Sequence, residues 1–115
     1  MRRGEIRVVR LDPAGGSEAS KTRPAVIVSN DGANTAAERL GRGVVTAVPV
    51  TSSTARVYPF QVLLPAKQCG LRRDSKAQAE QVRSVSVHRV GRVVGGVPSD
   101  LLAALDDALR LHLDL

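Results

Sequence analysis

The run Ala-Val-Ile-Val-Ser at residues 25–29 decides the fold class of this chain. It follows Pro24 directly, is rich in β-branched residues and ends at the turn-forming sequence Asn-Asp-Gly. A short apolar run between such signals predicts a buried strand. The chain has 17 valines, and its only aromatic residues are Tyr58 and Phe60. Because valine suits a pleated surface, we expect a β-rich core of Val, Leu, Ile and Ala.

Further strands are expected on both sides of this run. The apolar patterns predict strands at 5–11, 44–50, 58–64 and 90–94, and residues 75–85 alternate between polar and small side chains. Pro49 lies late in the second of these strands and indicates an edge or a bulge. Residues 12–22 collect turn formers and are expected to form a loop, and residues 35–40 are expected to form one or two helical turns.

The hydrophobic period changes near the end of the chain. Leu101, Leu105, Ala108 and His112 recur at helical spacing, and Ser99 is placed to cap the helix. Several short strands followed by one amphipathic helix predict a mainly β fold with a C-terminal helix. We expect a small, strongly bent sheet or barrel closed by that helix, in a single domain over residues 1–115.

The charge of the chain favours a polyanionic partner. Its 115 residues carry a net charge of +6, and 14 of the 17 cationic residues are arginine. Residues 1–98 alone hold +9, whereas residues 99–115 hold −3. Arginine matches phosphate with a planar, bidentate fork, so nucleic acid is expected ahead of an acidic protein. A surface charged only for solubility is the alternative.

Composition also excludes several classes. A content of 43% apolar residues excludes a disordered chain, and the short apolar runs predict neither a membrane span nor a secretory signal. Cys69 is the single cysteine, which excludes a disulfide framework and fits the reducing cytoplasm. His88 and His112 have no companions at metal-ligand spacing, so neither a metal nor another cofactor is expected.

Polar residues gather where predicted strands begin and end. Ser17, Glu18, Lys21 and Arg23 lie in or beside the loop that leads into the strand after Pro24. Thr51 and Ser52 follow the strand that contains Pro49. A loop with two cations beside a loop with hydroxyl groups is suited to hold one phosphate from both sides. Such residues are also common in ordinary loops of small domains.

Several short segments of the chain, in this order and spacing, resemble the MazF/PemK family of toxins from prokaryotic toxin–antitoxin pairs. They are Gly-Glu-Ile at 4–6, Leu-Asp-Pro at 11–13, Gly-Ser-Glu at 16–18, Arg-Pro-Ala-Val at 23–26, Pro-Val-Thr-Ser at 49–52, Tyr-Pro-Phe-Gln-Val at 58–62 and Ala-Glu-Gln-Val-Arg-Ser at 79–84. The resemblance extends from about residue 3 to the terminal helix.

This resemblance implies a small SH3-like β-barrel of the MazF/PemK/CcdB type that acts as a homodimer. It also implies metal-independent, sequence-specific cleavage of single-stranded RNA, with mRNA, rRNA and tRNA as candidate substrates. The ribose 2′-hydroxyl attacks the adjacent phosphate and leaves a 2′,3′-cyclic phosphate and a 5′-hydroxyl. The family's catalytic pair corresponds to Arg23 and Thr51. The implied partner is a cognate acidic, MazE-like antitoxin whose tail occupies the RNA groove.

Other residues receive supporting roles by the same resemblance. Ser17, Glu18 and Lys21 belong to the loop before the catalytic arginine, and Glu18 either orients Arg23 or is simply solvated. The predicted RNA contacts are Ser52, Tyr58, Gln61, Gln81, Arg83 and Ser84. For Phe60, core packing is the expected role.

The chain departs from the family pattern near its first strand. Arg7 or Val8 stands where the family usually has an aromatic residue, and Arg10 stands where it has an acid. These changes bear on the cleavage motif, on activity and on the antitoxin contact. Two alternatives to an RNA-cleaving toxin stay open: a nucleic-acid-binding module without catalysis, and a toxin on the same fold that poisons DNA gyrase.

Overall fold

A computed structural model describes residues 1–11 and 22–115. Seven strands, three α-helices and two short 3₁₀ helices form this part of the chain. The elements are β1 (Glu5–Arg10), β2 (Thr22–Ile27), α1 (Asp31–Leu40), β3 (Val44–Thr51), β4 (Gln61–Leu64), α2 (Ala66–Cys69), β5 (Ser75–Gln78), β6 (Arg83–Ser86), β7 (Val90–Gly96) and α3 (Ser99–Leu113), with 3₁₀ turns at Ala79–Gln81 and Val87–Arg89.

The strands form one antiparallel sheet in the order β4-β5-β3-β2-β1-β7, and β6 pairs with the first half of β3. The mainly β architecture with a C-terminal helix is therefore confirmed. The expected closed barrel is wrong for the described residues, because β4 and β7 lie at opposite ends of the strand order and do not pair. The sheet is bent and open.

Pro49 lies at the point where β3 changes partners. On one side β3 pairs with β2, and there Pro49 faces Ala25. On the other side, residues 44–47 pair with β6 and residues 50–51 pair with β5. Proline has no N–H to donate to a strand ladder, so it fits this gap. The expected edge or bulge is thus a break between two partner strands in the middle of the sheet.

Two apolar clusters occupy the two faces of the sheet. Along β2, Val26 packs into one cluster with Val48, whereas the neighbouring Ile27 packs into the other with Val45. This alternation follows from the two-residue period of a strand. α3 covers the first cluster through the buried residues Leu105 and Ala108, and α1 contributes Ala37 to the second.

The C-terminal helix begins one residue earlier than expected. Pro98 is the N-cap and no side chain caps the helix, so Ser99 is the first helical residue. The first part of α3 packs on the sheet, while Leu111, His112 and Leu113 in its last turn are exposed. None of the described helices is long and apolar enough to cross a membrane.

Two other local expectations were wrong, and one helix was not anticipated. The strand expected at 58–64 is shorter and begins at Gln61, because residues 58–60 form a turn. The stretch 75–85 is divided between β5, a 3₁₀ turn and β6. Helix α2 was not anticipated; it is only four residues long, too short to show a helical period.

Candidate active site

Arg23 lies near the start of β2, and Thr51 ends β3, the strand that pairs with it. The β2–β3 pairs run from Ile27 with Ala47 to Ala25 with Pro49. Arg23 and Thr51 each lie two residues beyond this last pair, at the same end of the two strands. The two predicted catalytic residues, 28 positions apart in the chain, are thereby brought together.

The two residues line one cleft of about 310 Å³. Its other lining residues are Pro24, Val50, Ser52 and Ser75. We call this the catalytic cleft. Its lining contains one cation and three hydroxyl-bearing residues and no carboxylate, so the lining within the described chain favours an anion. The predicted RNA contact Ser52 lies in this cleft.

The hydroxyl of Thr51 is held by its own backbone. Its Oγ1 accepts a hydrogen bond from the backbone N–H of Ser53, with a distance of 3.2 Å. This local bond defines where the hydroxyl oxygen lies and leaves its hydrogen available for donation. Thr51 is therefore arranged to donate to an oxygen that enters the cleft. The residues predicted to support it from the preceding loop, Ser17, Glu18 and Lys21, lie outside the described residues.

Two aromatic rings stack in the loop that follows β3. The ring centroids of Tyr58 and Phe60 are 5.4 Å apart and their planes differ by 4°. The guanidinium of Arg56 lies 5.6 Å from the centre of the Tyr58 ring. The side chain of Tyr58 is 41% exposed, so its ring presents a surface to solvent. Phe60 packs chiefly against this ring, whereas core packing was expected for it.

Lys76 of β5 forms a hydrogen bond with this loop. Its side chain is buried, and its Nζ donates a hydrogen bond of 2.6 Å to the backbone carbonyl of Arg56. The same ammonium lies 5.9 Å from the centre of the Tyr58 ring. A buried charge requires such partners, so the loop is held at this point by a specific polar contact.

The buried side-chain amide of Gln61 helps to hold this loop in place. Its side chain is only 8% exposed, its Oε1 accepts from the backbone N–H of Tyr58 at 3.2 Å, and its Nε2 donates to Glu80 at 2.7 Å. Because both ends of the amide are used internally, this placement does not support the direct RNA contact predicted for Gln61. It supports a positioning role for the turn that carries the aromatic rings.

Replacing Gln61 with alanine is expected to lower the free energy of unfolding by about 1–3 kcal/mol. The change removes both hydrogen bonds and leaves the Glu80 carboxylate without its amide donor. Urea denaturation of the two proteins measures the effect. Gln68→Ala is the matched control, because Gln68 is exposed on α2. Equal stability of both variants would contradict the role assigned to Gln61.

Three other predicted RNA contacts lie farther along the sheet. Gln81 closes a 3₁₀ turn, and Arg83 and Ser84 pair with the first half of β3, where Arg83 faces Ala47. Ala47 is four residues from Thr51, about 13 Å along the strand. All three residues are exposed, but they do not line the catalytic cleft. Their contact with RNA stays a prediction.

A second cleft adjoins the first and was missed in the sequence. It measures about 630 Å³ and shares Pro24, Ser52 and Ser75 with the catalytic cleft. Its remaining lining is Val8, Gly70, Leu71, Arg72, Arg73, Arg92 and Val94. We call it the arginine cleft. The pair Arg72-Arg73 after the turn at Gly70 was a sequence signal for this cleft. No local pattern indicates, however, that this pair lies beside Arg92, about 20 residues later in the chain.

Arg7 and Val8, the β1 residues that depart from the family pattern, have defined positions in this fold. Arg7 donates to Glu5 at 3.0 Å and to the carbonyl of Gly91 at 3.1 Å, so it spans β1 and β7. Burial raises the pKa of Glu5, but hydrogen bonds from the Arg2 backbone and from Arg7 outweigh it and hold that pKa below its usual value. Val8 lines the arginine cleft.

Thiol chemistry and metal binding find no support in the described part of the chain. Burial, with a smaller contribution from Asp100, raises the pKa of the Cys69 thiol, which disfavours the reactive thiolate. Within residues 1–11 and 22–115, no three His, Cys, Asp or Glu side chains are grouped to hold a metal ion.

An open, bent antiparallel sheet with a C-terminal helix is the fold of the small MazF toxins whose structures resemble this one. The family model described as "PemK-like, MazF-like toxin of type II toxin-antitoxin system" matches residues 2–113. The chain belongs to this family, and the resemblance seen in the sequence is confirmed.

Individual relatives agree with this assignment. The chain is 64% identical to endoribonuclease MazF9 of Mycobacterium tuberculosis, over 100% of this chain and 98% of that protein. Its structure is similar to that of MazF from Deinococcus radiodurans, with a TM-score of 0.79 and 28% identity over 100% of this chain and 97% of that one. A MazE-MazF structure from the same organism gives a TM-score of 0.77 at 28% identity, over 100% and 97% of the two chains.

Proposed function

We propose that this protein is a metal-independent endoribonuclease that cleaves single-stranded RNA at short sequence motifs. The observation that carries the proposal is that Arg23 and Thr51 line one cleft whose described lining holds no carboxylate. In an RNA-cleaving enzyme, the anion that binds in such a cleft is a phosphodiester of the substrate. Membership in a family with relatives named endoribonucleases supports the same reaction.

The reaction uses a nucleophile that the substrate supplies. The 2′-oxygen of a ribose attacks the adjacent phosphorus, the bond from phosphorus to the 5′-oxygen breaks, and the products carry a 2′,3′-cyclic phosphate and a 5′-hydroxyl. Water accepts the 2′-hydroxyl proton. The leaving 5′-oxygen takes a proton from Arg23, which water then restores.

The cleft residues act on the charge that develops at phosphorus. Arg23 donates two hydrogen bonds to the nonbridging oxygens, because a guanidinium offers parallel donors that match phosphate. The Thr51 hydroxyl donates a further bond and holds the phosphate in line with the 2′-oxygen. Such preorganised donors bind the phosphorane more strongly than the ground state, and this difference lowers the barrier.

The purified protein is expected to cleave mixed-sequence single-stranded RNA in the presence of EDTA and to leave 5′-hydroxyl ends. End mapping by ligation, with and without prior 5′ phosphorylation, reads out these products. If the RNA stays intact under all conditions, the enzyme proposal fails. RNA binding without cleavage would favour a non-catalytic module, and inhibition of supercoiling would favour a gyrase toxin.

The cellular role proposed here is that of a toxin over residues 1–115. Cleavage of mRNA, rRNA or tRNA in the cytoplasm inhibits translation and growth. A cognate acidic, MazE-like antitoxin neutralises the protein by covering the catalytic cleft, because an acidic peptide mimics the phosphate backbone. The +9 charge of residues 1–98 supports this complementarity, as does the MazE-MazF structure of the relative from D. radiodurans.

We further propose that the protein acts as a homodimer. The last turn of α3 supports this, because Leu111 and Leu113 are half or more exposed there and Leu115 is 84% exposed. His112 lies between them. Exposed leucines at the end of a helix whose first turns cover the core are suited to a contact between copies.

A further inference from the structure

The arginine cleft lies next to the catalytic cleft. Pro24, Ser52 and Ser75 line both, so the two spaces are direct neighbours. The arginine cleft is therefore within reach of the nucleotides next to a phosphate bound at Arg23 and Thr51. The larger cleft has about twice the volume of the smaller, about 630 against 310 Å³.

Three arginines line this space, and its described lining contains no carboxylate. Arg72 and Arg73 come from the turn before β5, and Arg92 comes from β7. The arginine ion pairs among residues 1–11 and 22–115 involve Arg3, Arg7 and Arg110, none of which lines the cleft. An incoming phosphate thus displaces no described carboxylate from the three guanidinium groups.

The floor of the arginine cleft is aliphatic. Val8, Leu71 and Val94 line it, and the two aromatic residues of the chain do not. Aliphatic side chains pack against any base, whereas base identity is read by hydrogen bonds to base edges and by stacking on aromatic rings. The chemistry of this cleft therefore favours the backbone of a nucleic acid over its sequence.

We propose that the arginine cleft binds the phosphates of the nucleotides that flank the cleaved bond. Arg72, Arg73 and Arg92 each contact one phosphate, and the aliphatic floor packs against the bases without selecting them. The cleft thus raises affinity for longer RNA and leaves the cleavage motif unchanged. This inference rests on the proposed RNA-cleaving function.

The salt dependence of RNA binding tests the proposal. The probe is a fluorescent, mixed-sequence 2′-O-methyl RNA, which keeps every phosphate and lacks the nucleophile. Each phosphate contact to single-stranded nucleic acid contributes about 0.7 to the slope of log K against log salt. The triple variant Arg72→Ala, Arg73→Ala, Arg92→Ala is expected to reduce that slope by about 2.

A matched variant controls for net charge. Arg2→Ala, Arg39→Ala, Arg42→Ala removes the same three charges from exposed positions. Arg39 and Arg42 lie near the start of β3, about 23 Å along the strand from Thr51. The slope should change far less in this control. Equal slopes in the two triple variants would overturn the proposal.

Steady-state cleavage separates binding from chemistry. The Arg72, Arg73 and Arg92 alanine variant should raise KM for a long RNA that contains a mapped cleavage site, with kcat and the motif unchanged. A triple lysine variant at the same positions should restore the slope, which excludes misfolding as the cause. Loss of kcat with unchanged KM would overturn the proposal.

Two further outcomes are distinguishable. If the wild-type protein cleaves RNA and both triple variants behave alike, only the arginine cleft is wrong. If the wild-type protein cleaves no RNA, the proposed function fails, and the binding measurement still reports on the cleft. Loss of affinity for a poly-glutamate peptide with unchanged affinity for RNA would overturn the proposal in favour of an acidic protein tail.

Discussion

Replacing Arg23 with alanine is expected to lower kcat for RNA cleavage by at least about 10²- to 10³-fold, because removal of a single preorganised donor from a charge-stabilising site already has that effect. The variant loses the two hydrogen bonds to the nonbridging oxygens and the proton donor to the leaving group. Arg23 is exposed at the end of β2, so the fold should stay intact. Single-turnover cleavage with saturating enzyme measures the chemical step.

Two variants sharpen this experiment. Arg23→Lys keeps the charge but not the bidentate fork, and it should recover only a part of the lost rate. Arg42→Ala removes the same charge near the far end of β3 and should leave kcat unchanged. If Arg23→Ala cleaved at the wild-type rate, the assignment of this cleft as the active site would be wrong.

Replacing Gly95 with alanine is expected to destabilise the protein by about 3 kcal/mol, at the upper end of ordinary overpacking. A Cβ at this position would lie 2.3 Å from the backbone carbonyl oxygen of Cys69 and 3.2 Å from a methyl group of Leu71. Backbone cannot yield as a flexible side chain does. The end of α2 must therefore move away from β7, which disturbs the buried Cys69.

Thermal unfolding measures this effect, and the midpoint should fall by about 10 °C. The neighbouring Gly96 is the matched control, because a Cβ there meets nothing within 4 Å. Gly96→Ala is expected to change stability little. If the two alanine variants unfolded at the same temperature, the close packing of α2 on β7 would be contradicted.

Local sequence signals predicted the elements whose pattern is regular. The leucine spacing after Pro98 gave α3 within one residue, whereas the β-branched run at 25–29 indicated the existence of β2 but not its bounds, since the strand spans Thr22–Ile27 and contains Pro24. Elements shorter than one hydrophobic period were missed. The clearest case is α2, since four residues display no helical face.

The proposed catalytic pair, Arg23 and Thr51, was predicted from the family resemblance of short motifs. Spacing alone offered only polar residues at strand ends. The β2–β3 register then supplies the physical reason that the two residues share one end of the strands, since each lies two residues beyond the pair of Ala25 with Pro49. For Gln61, the family resemblance predicted an RNA contact that the structure does not support. Its side chain is buried and accepts a hydrogen bond from the backbone N–H of Tyr58.

By itself, the sequence determined that this protein is a basic, valine-rich β domain with a C-terminal helix and a cation before Pro24. These properties depend on composition and on periodicities that neighbouring residues express. Only the tertiary structure decided that the sheet stays open and that Arg72, Arg73 and Arg92 share one cleft. Strand order and cleft lining arise from contacts between residues far apart in the chain, which no local pattern encodes.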